Sequence, residues 1–216
     1  MRIGDAMRTA VRDFYEQSWR FVVLNSLLSV AVLSLLVAAS YTRSALALAL
    51  LLGPLAAALM HCAVRVVHEE ELSLRCAVEG LRLQWRRGLE LSLIAILVFL
   101  AGTIAIRSYA GAGSFGWPLA FLVAYVLALF VVFQVQLWPI AIDERERPLR
   151  EVLRKSGFAL ARRPLSSIVL AFFLLLVNAL GAAAAVLPLL TLTVAYSFLA
   201  AARFALPDDP ILEAGS

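Results

Sequence analysis

The stretch HEEEL at residues 68–72 contains the residue types that a zinc enzyme uses. In the motif H-E-x-x-H, two histidines four residues apart bind the metal from one face of a helix. Leu72 stands where the second histidine would be, so one ligand is missing. His61, Cys62 and Cys76 add ligand types nearby, but no pair has the spacing of a zinc finger or a protease site. We therefore predict no metal site.

Enzyme motifs are also missing from the sequence. It has no P-loop, no G-x-S-x-G and no paired carboxylates in a pocket-like context, so no nucleophile and base can be named. The sequence therefore predicts a non-enzymatic protein without catalytic residues and without a cofactor.

A second set of polar residues lies inside long apolar segments. Such side chains need a partner, because lipid offers none. They either join helices by hydrogen bonds or line a path for a small solute. No acidic or basic residue lies in the middle of a predicted span, which counts against an ion-coupled pump. The candidate contacts or path residues are Asn25, Gln134, Gln136 and Asn178.

The composition identifies these apolar segments as membrane spans. Of the 216 residues, 62% are hydrophobic and 16% are charged, whereas soluble domains have about 45–50% apolar and about 25% charged residues. The net charge of +4 could indicate a nucleic-acid partner. However, Lys and Arg flank the apolar runs and form no separate basic domain, so we expect none. The first predicted partner is the lipid bilayer.

Six apolar segments have the length of about 20 residues that crosses a bilayer. We place four spans at 21–40, 44–67, 89–106 and 117–142, and we divide 164–206 into two more. The division falls in the turn-like sequence NALGAAAAVLP, and one long span with a re-entrant piece is the alternative. The predicted fold is an all-α, polytopic membrane protein with six transmembrane helices.

The distribution of basic residues predicts the orientation. All but two of the 19 Lys and Arg residues lie on one side of the predicted spans, and the exceptions are Arg43 and Arg107. Basic residues concentrate on the cytoplasmic side of membrane proteins. We therefore predict a bacterial plasma-membrane protein with both termini in the cytoplasm. Cys62 and Cys76 then lie at or near the reducing side, so we expect no disulfide.

Three amphipathic stretches share one pattern. In each, Arg follows an apolar residue, further apolar residues come three and four positions on, and a second Arg follows twelve residues after the first. This spacing places the apolar residues on one helix face. It predicts tandem units at 5–72, 73–147 and 148–206, each a cytoplasmic amphipathic helix followed by two spans, with a flexible tail at 207–216. The stretches are MRTAVRDFYEQSWR (7–20), LRCAVEGLRLQWRR (74–87) and LREVLRKSGFALAR (149–162).

The arginines of these stretches have two candidate targets. Arg binds either lipid phosphates or an acidic patch on a partner protein. We predict membrane-interface anchoring for the arginines where spans begin: Arg20, Arg87 and Arg162. We predict partner docking for the arginines closer to the helix starts: Arg75, Arg150 and Arg154.

The order of several segments carries a family resemblance. GPLAAAL (53–59) is followed by a short acidic turn, by LSLRCAVEGLRLQWRRGLELSL (72–93), and later by RPLREVLRKSGFALARRPLSSIVLAFFLL (147–175). Over roughly 14–206 the chain resembles the YesL-like family of bacterial integral membrane proteins. The resemblance implies an accessory or scaffold protein associated with carbohydrate uptake. We predict as its partner the permease of an ABC-type transporter or another membrane protein. The alternative is a small-solute transporter or facilitator.

Overall fold

The computed structural model describes residues 45–69, 75–184 and 193–206, together with three isolated helical residues, Val11, Ser26 and Ser34. All regular structure within these ranges is helical. The predicted first amphipathic helix and first span, with Arg20 and Asn25, otherwise lie outside the described residues. The helices are α1 (Ala45–Glu69), α2 (Arg75–Gly111), α3 (Trp117–Asp143), α4 (Leu149–Arg162), α5 (Pro164–Ala184) and α6 (Val194–Ala205).

Four of these helices are long and apolar enough to cross a membrane: α1 over 50–68, α2, α3, and α5 over 164–181. Many apolar side chains on the outside of α2 and α3 are exposed, as expected for groups that face lipid. Helix α6 is apolar but has only 12 residues, fewer than the about 20 that a span needs. The chain is therefore a helical membrane protein. Within the described residues, four of the six predicted spans are present as long helices.

Helix α2 differs from the predicted arrangement of an in-plane helix followed by a separate span. It runs unbroken for 37 residues, a length of about 55 Å, whereas the hydrocarbon core of a bilayer is about 30 Å thick. The stretch 74–87 is therefore continuous with the span that follows it. The physical reason is that no proline or turn interrupts the chain at Gly88, which packs inside the bundle instead.

Helix α4, in contrast, is separate from the span that follows it. It ends at Arg162, and Arg163 leaves the helical region with φ −137° and ψ 56°. Pro164 explains the break, because proline disfavours helical dihedrals in the residue before it. The second and third predicted repeat units therefore follow different backbone paths at the start of their spans, and the tandem repeat stays a prediction.

Small residues form the contact between α1 and α2. A Cβ atom added to Gly88 would lie 2.7 Å from the Gly53 carbonyl oxygen and 2.8 Å from the Pro54 Cα. The two backbones are therefore close enough that only glycine fits at this crossing. Such close approach is typical of helix pairs in membranes, where apolar side chains gain little by turning away from lipid.

The charges of the described residues gather at one end of the bundle. There the end of α1 contacts the end of α3, and His68 Nε2 lies 3.0 Å from Asp143 Oδ1. Arg65 of α1 also pairs with Glu79 of α2 at 3.1 Å. We call this region, which comprises the ends of α1 and α3, the first part of α2 and all of α4, the charged end. The opposite end has the short loop 112–116, which turns at Gly113 with φ +79°.

Candidate functional site: the charged end of the bundle

Helix α2 presents three different faces at the charged end. The buried face contains small and polar residues: Cys76, Gly80, Gln84, Arg87 and Gly88. A second, exposed face carries Arg75, Glu79, Arg82 and Arg86 at helical spacing. The apolar residues lie on a third face, where Val78 and Trp85 are 63% and 46% exposed. The apolar face of this amphipathic stretch is therefore turned outwards, and its small and polar residues contact α1.

Arg87 joins α2 to the loop between α3 and α4. Its guanidinium donates hydrogen bonds to the carbonyl oxygens of Arg145, at 3.3 Å, and Arg147. It also pairs with Glu90 at 3.1 Å. Only 8% of the side chain is exposed. These contacts with carbonyl and carboxylate groups of the protein account for the burial of Arg87, and its predicted anchoring to lipid phosphates stays a prediction.

Gln84 supports the same connection from one turn earlier in α2. Its buried Nε2 donates to the carbonyl oxygen of Ile142 at 3.1 Å, close to the point where α3 ends. Gln84 and Arg87 are three residues apart and therefore lie on one helix face. Together they fix α2 against the last turn of α3 and the loop 144–148.

A cavity of about 450 Å³ lies beside this connection. We call it the arginine cavity, because Arg86 and Arg87 of α2 and Arg145 and Arg147 of the loop line it, together with Glu90. Apolar side chains complete its wall: Leu83, Trp85, Pro148 and Leu149. It thus combines several positive charges with an apolar rim.

Helix α4 lies against α3, and seven of its 14 residues are exposed. Only Val152 and Ser156 are fully buried, and Val152 packs against Leu137 and its neighbours in α3. Arg150 and Arg154 are exposed, one turn apart. Phe158, one turn further on, is 57% exposed. The exposed row therefore consists of two arginines followed by an aromatic ring.

Two further arginines complete the set singled out from the sequence. The Arg162 guanidinium lies 4.4 Å from the centre of the Phe158 ring, at the last residue of α4. Its predicted role at the membrane interface stays a prediction. Arg75 lines a different groove on α2, together with Val78, Glu79, Arg82 and Leu83. The structure therefore brings Arg150 and Arg154 together but leaves Arg75 apart from them.

The amides inside the bundle have different surroundings. Gln136 Nε2 donates to Ser167 Oγ at 3.2 Å, which joins α3 to α5. Asn178 Nδ2 donates to Ser197 Oγ at 2.7 Å, which joins α5 to α6. Both amide atoms of Gln134 are buried and have no hydrogen-bond partner among the described residues, and they lie beside an almost wholly apolar cavity of about 400 Å³.

These positions do not form one polar path within the described part of the chain. Gln134 and Gln136 are two residues apart in α3, so their side chains point about 200° apart. Gln136 and Asn178 are each used in a contact between two helices. The arrangement is that of isolated polar contacts, which contribute roughly 0.6 kcal/mol each on average in membrane proteins.

The cysteines and histidines noted in the sequence lie close to the α1–α2 contact. Cys62 and Cys76 are both free and buried. His61 lies against Gly80, because a Cβ added there would be 2.9 Å from the His61 Cδ2. Among the described residues, no three His, Cys, Asp or Glu side chains come together as potential metal ligands.

Comparison with protein-family models, with curated proteins and with solved structures finds no match for this chain. The resemblance to YesL-like proteins is therefore carried by the sequence segments alone.

Sequence reasoning missed Gln84 and the role of Arg87. The available signal was the small-residue spacing of Gly80 and Gly88, eight residues apart, since Gln84 lies midway between them on the same helix face. The contacts of Arg87 could not be predicted from its neighbours in sequence, because the loop whose carbonyl groups it binds lies more than 55 residues further along the chain.

Proposed function

We propose that this chain is a non-enzymatic accessory or scaffold protein of the membrane that binds a membrane partner through α4. The observation that carries the proposal is the exposed row of Arg150, Arg154 and Phe158 on a helix that fully buries only two residues. Arginine and aromatic residues are enriched in protein interfaces and in their energetic hot spots. An acidic patch with an apolar pocket is the complementary surface.

The proposal includes an orientation. The charged end faces the cytoplasm of a bacterial cell, both termini lie on that side, and the chain crosses the plasma membrane six times. The support is the one-sided distribution of Lys and Arg. A reporter fused after Ser114 should therefore read as extracytoplasmic, and one fused after Glu144 as cytoplasmic. The opposite result at either position would overturn this orientation.

The proposed partner is the permease of an ABC-type carbohydrate uptake system. This assignment rests on the resemblance to YesL-like proteins and on the basic, exposed character of α4. The alternative, a small-solute facilitator, has one observation in its favour, the unpartnered Gln134 amide beside a cavity. That cavity offers a polar solute little besides one amide to replace its hydration shell, so we prefer the accessory role.

Crosslinking tests the docking surface directly. A photoreactive amino acid replaces Phe158 in cells that express the chain with a carbohydrate permease, and a second variant carries the same group at Phe121, an exposed position of α3. We expect the permease to be crosslinked from position 158 and not from position 121. Equal crosslinking from both positions, or none from position 158, would contradict the proposal.

A charge-preserving variant then tests the role of the arginines. Arg150→Lys with Arg154→Lys keeps the charge but removes the two-pronged contact that a guanidinium makes with a carboxylate. The matched control is Arg82→Lys with Arg107→Lys, since both of these side chains are exposed elsewhere. We expect the α4 variant alone to lose the crosslink. We also expect the purified protein to show no sugar flux in liposomes, and flux would favour the facilitator.

A further inference from the structure

The backbone around the arginine cavity is held in place. Arg87 binds the carbonyl oxygens of Arg145 and Arg147, and Gln84 binds the end of α3. These contacts position the side chains of Arg145 and Arg147 on one wall and that of Arg86 on the other. The arginines therefore face one cavity because the hydrogen bonds of Arg87 and Gln84 hold the loop and the end of α3 against α2.

Two of the four arginines keep an unbalanced charge. Arg87 pairs with Glu90, and Arg147 pairs with Glu144 at 3.4 Å. Among the described residues, no carboxylate pairs with Arg86 or Arg145. The guanidinium of Arg86 is placed over the Trp85 ring, 5.2 Å from its centre. The cavity therefore offers two guanidinium groups to an anion.

An apolar track leads away from the cavity along α2. Leu93 and Leu97 follow Arg86 by seven and eleven residues and so lie on the same side of the helix. They are 49% and 55% exposed, in the part of α2 that is apolar enough to cross a membrane. An acyl chain fits this track, whereas a free anion in water would make no use of it.

We propose that the arginine cavity binds the phosphate of an anionic phospholipid, with Arg86 and Arg145 as the phosphate ligands and the acyl chain along Leu93 and Leu97. Guanidinium groups match phosphate oxygens with two parallel hydrogen bonds. Basic pockets between membrane helices are typical sites for lipid headgroups. This site is separate from the exposed row of α4 and does not depend on the proposed function.

Native mass spectrometry of the full chain in detergent tests the site. The probes are phosphatidylglycerol, phosphatidylcholine and inorganic phosphate. We expect one phosphatidylglycerol to bind more tightly than any further copy, and phosphatidylcholine to lack this tight site. Arg86→Gln with Arg145→Gln should weaken the tight site about thirtyfold, since each basic contact contributes roughly a fivefold effect. The control with equal charge loss is Arg82→Gln with Arg107→Gln, which should keep it.

The acyl track has its own variant. Leu93→Gln with Leu97→Gln should weaken phosphatidylglycerol binding and leave any binding of inorganic phosphate unchanged. Equal affinity for phosphatidylcholine would overturn the proposal, as would an equal loss in the Arg82 and Arg107 control. Competition by inorganic phosphate at the same concentration as the lipid would show that free phosphate is the ligand and would overturn the lipid assignment. If the double variant does not fold, Arg145→Gln alone, at an exposed loop position, should weaken the tight phosphatidylglycerol site about fivefold.

Discussion

The connection made by Arg87 gives a prediction that separates its structural role from lipid anchoring. Arg87→Met keeps the unbranched, apolar part of the side chain and removes every donor. The variant loses two charged hydrogen bonds to loop carbonyls and one ion pair with Glu90. If the role were contact with lipid phosphates, the protein in detergent would lose nothing.

The magnitude follows from the surroundings. A hydrogen bond from a charged donor contributes about 1.5–3 kcal/mol, but the loop is exposed, so water can reach the two carbonyl groups once Arg87 is gone. Glu90 is half exposed, and such an ion pair adds at most about 1 kcal/mol. We expect the free energy of unfolding to fall by about 3 kcal/mol. For a chain of this length, that lowers Tm by about 6–12 °C.

The assay uses the protein's own thiols. Cys62 and Cys76 are the two cysteines of the chain, and both are buried. A thiol-reactive dye therefore reports unfolding in detergent during a temperature ramp. The control is Arg82→Met, an exposed position on the same helix, which should shift Tm by no more than about 2 °C, because surface substitutions change stability by roughly 0.5 kcal/mol. An Arg87→Met variant with the same Tm as the Arg82→Met control would refute the structural role and favour lipid anchoring.

Two further predictions use the same assay. Gly88→Val should lower the free energy of unfolding by about 1–3 kcal/mol, because its side chain would press on the α1 backbone. The control Gly157→Ala, which has open space around its Cβ, should be neutral or stabilising. Equal effects of the two substitutions would argue against the close crossing of α1 and α2. Gln134→Leu should stabilise the protein by about 1 kcal/mol, because it removes a buried amide without a partner, while Gln136→Leu should destabilise it by a similar amount. The same sign for both amides would contradict the assigned hydrogen bonds.

The long apolar helices could be predicted from the sequence because hydropathy alone determines which segments prefer lipid. The stretch 149–162, predicted as an amphipathic helix from its apolar and arginine spacing, coincides with α4, and the prolines at 148 and 164 limit that helix from both sides. The continuity of α2 was not predicted. The amphipathic pattern of 74–87 indicated a separate helix, but no residue at its end breaks the backbone, so α2 continues into the span.

The buried face of α2 was harder to predict for a different reason. In water, the apolar residues of an amphipathic helix turn towards the core. In this helix, the close packing of small residues and a buried hydrogen bond decide the contact face instead. Gly80 and Gly88 therefore lie inside, while Val78 and Trp85 lie outside. The pattern of small residues, rather than that of apolar residues, indicates the inner face of this helix.

The connection through Arg87 also links the two proposed surfaces. Loop 144–148 carries one wall of the arginine cavity and leads directly into α4, so the position of Leu149 depends on the same hydrogen bonds as the position of Arg145. Substitutions within one surface should therefore affect that surface alone: Arg86→Gln with Arg145→Gln should reduce lipid binding but keep the permease crosslink. Arg87→Met should weaken both, although its guanidinium is not assigned as a ligand in either. If Arg87→Met reduced only lipid binding, the loop would not transmit its position to α4, and the two surfaces would be independent.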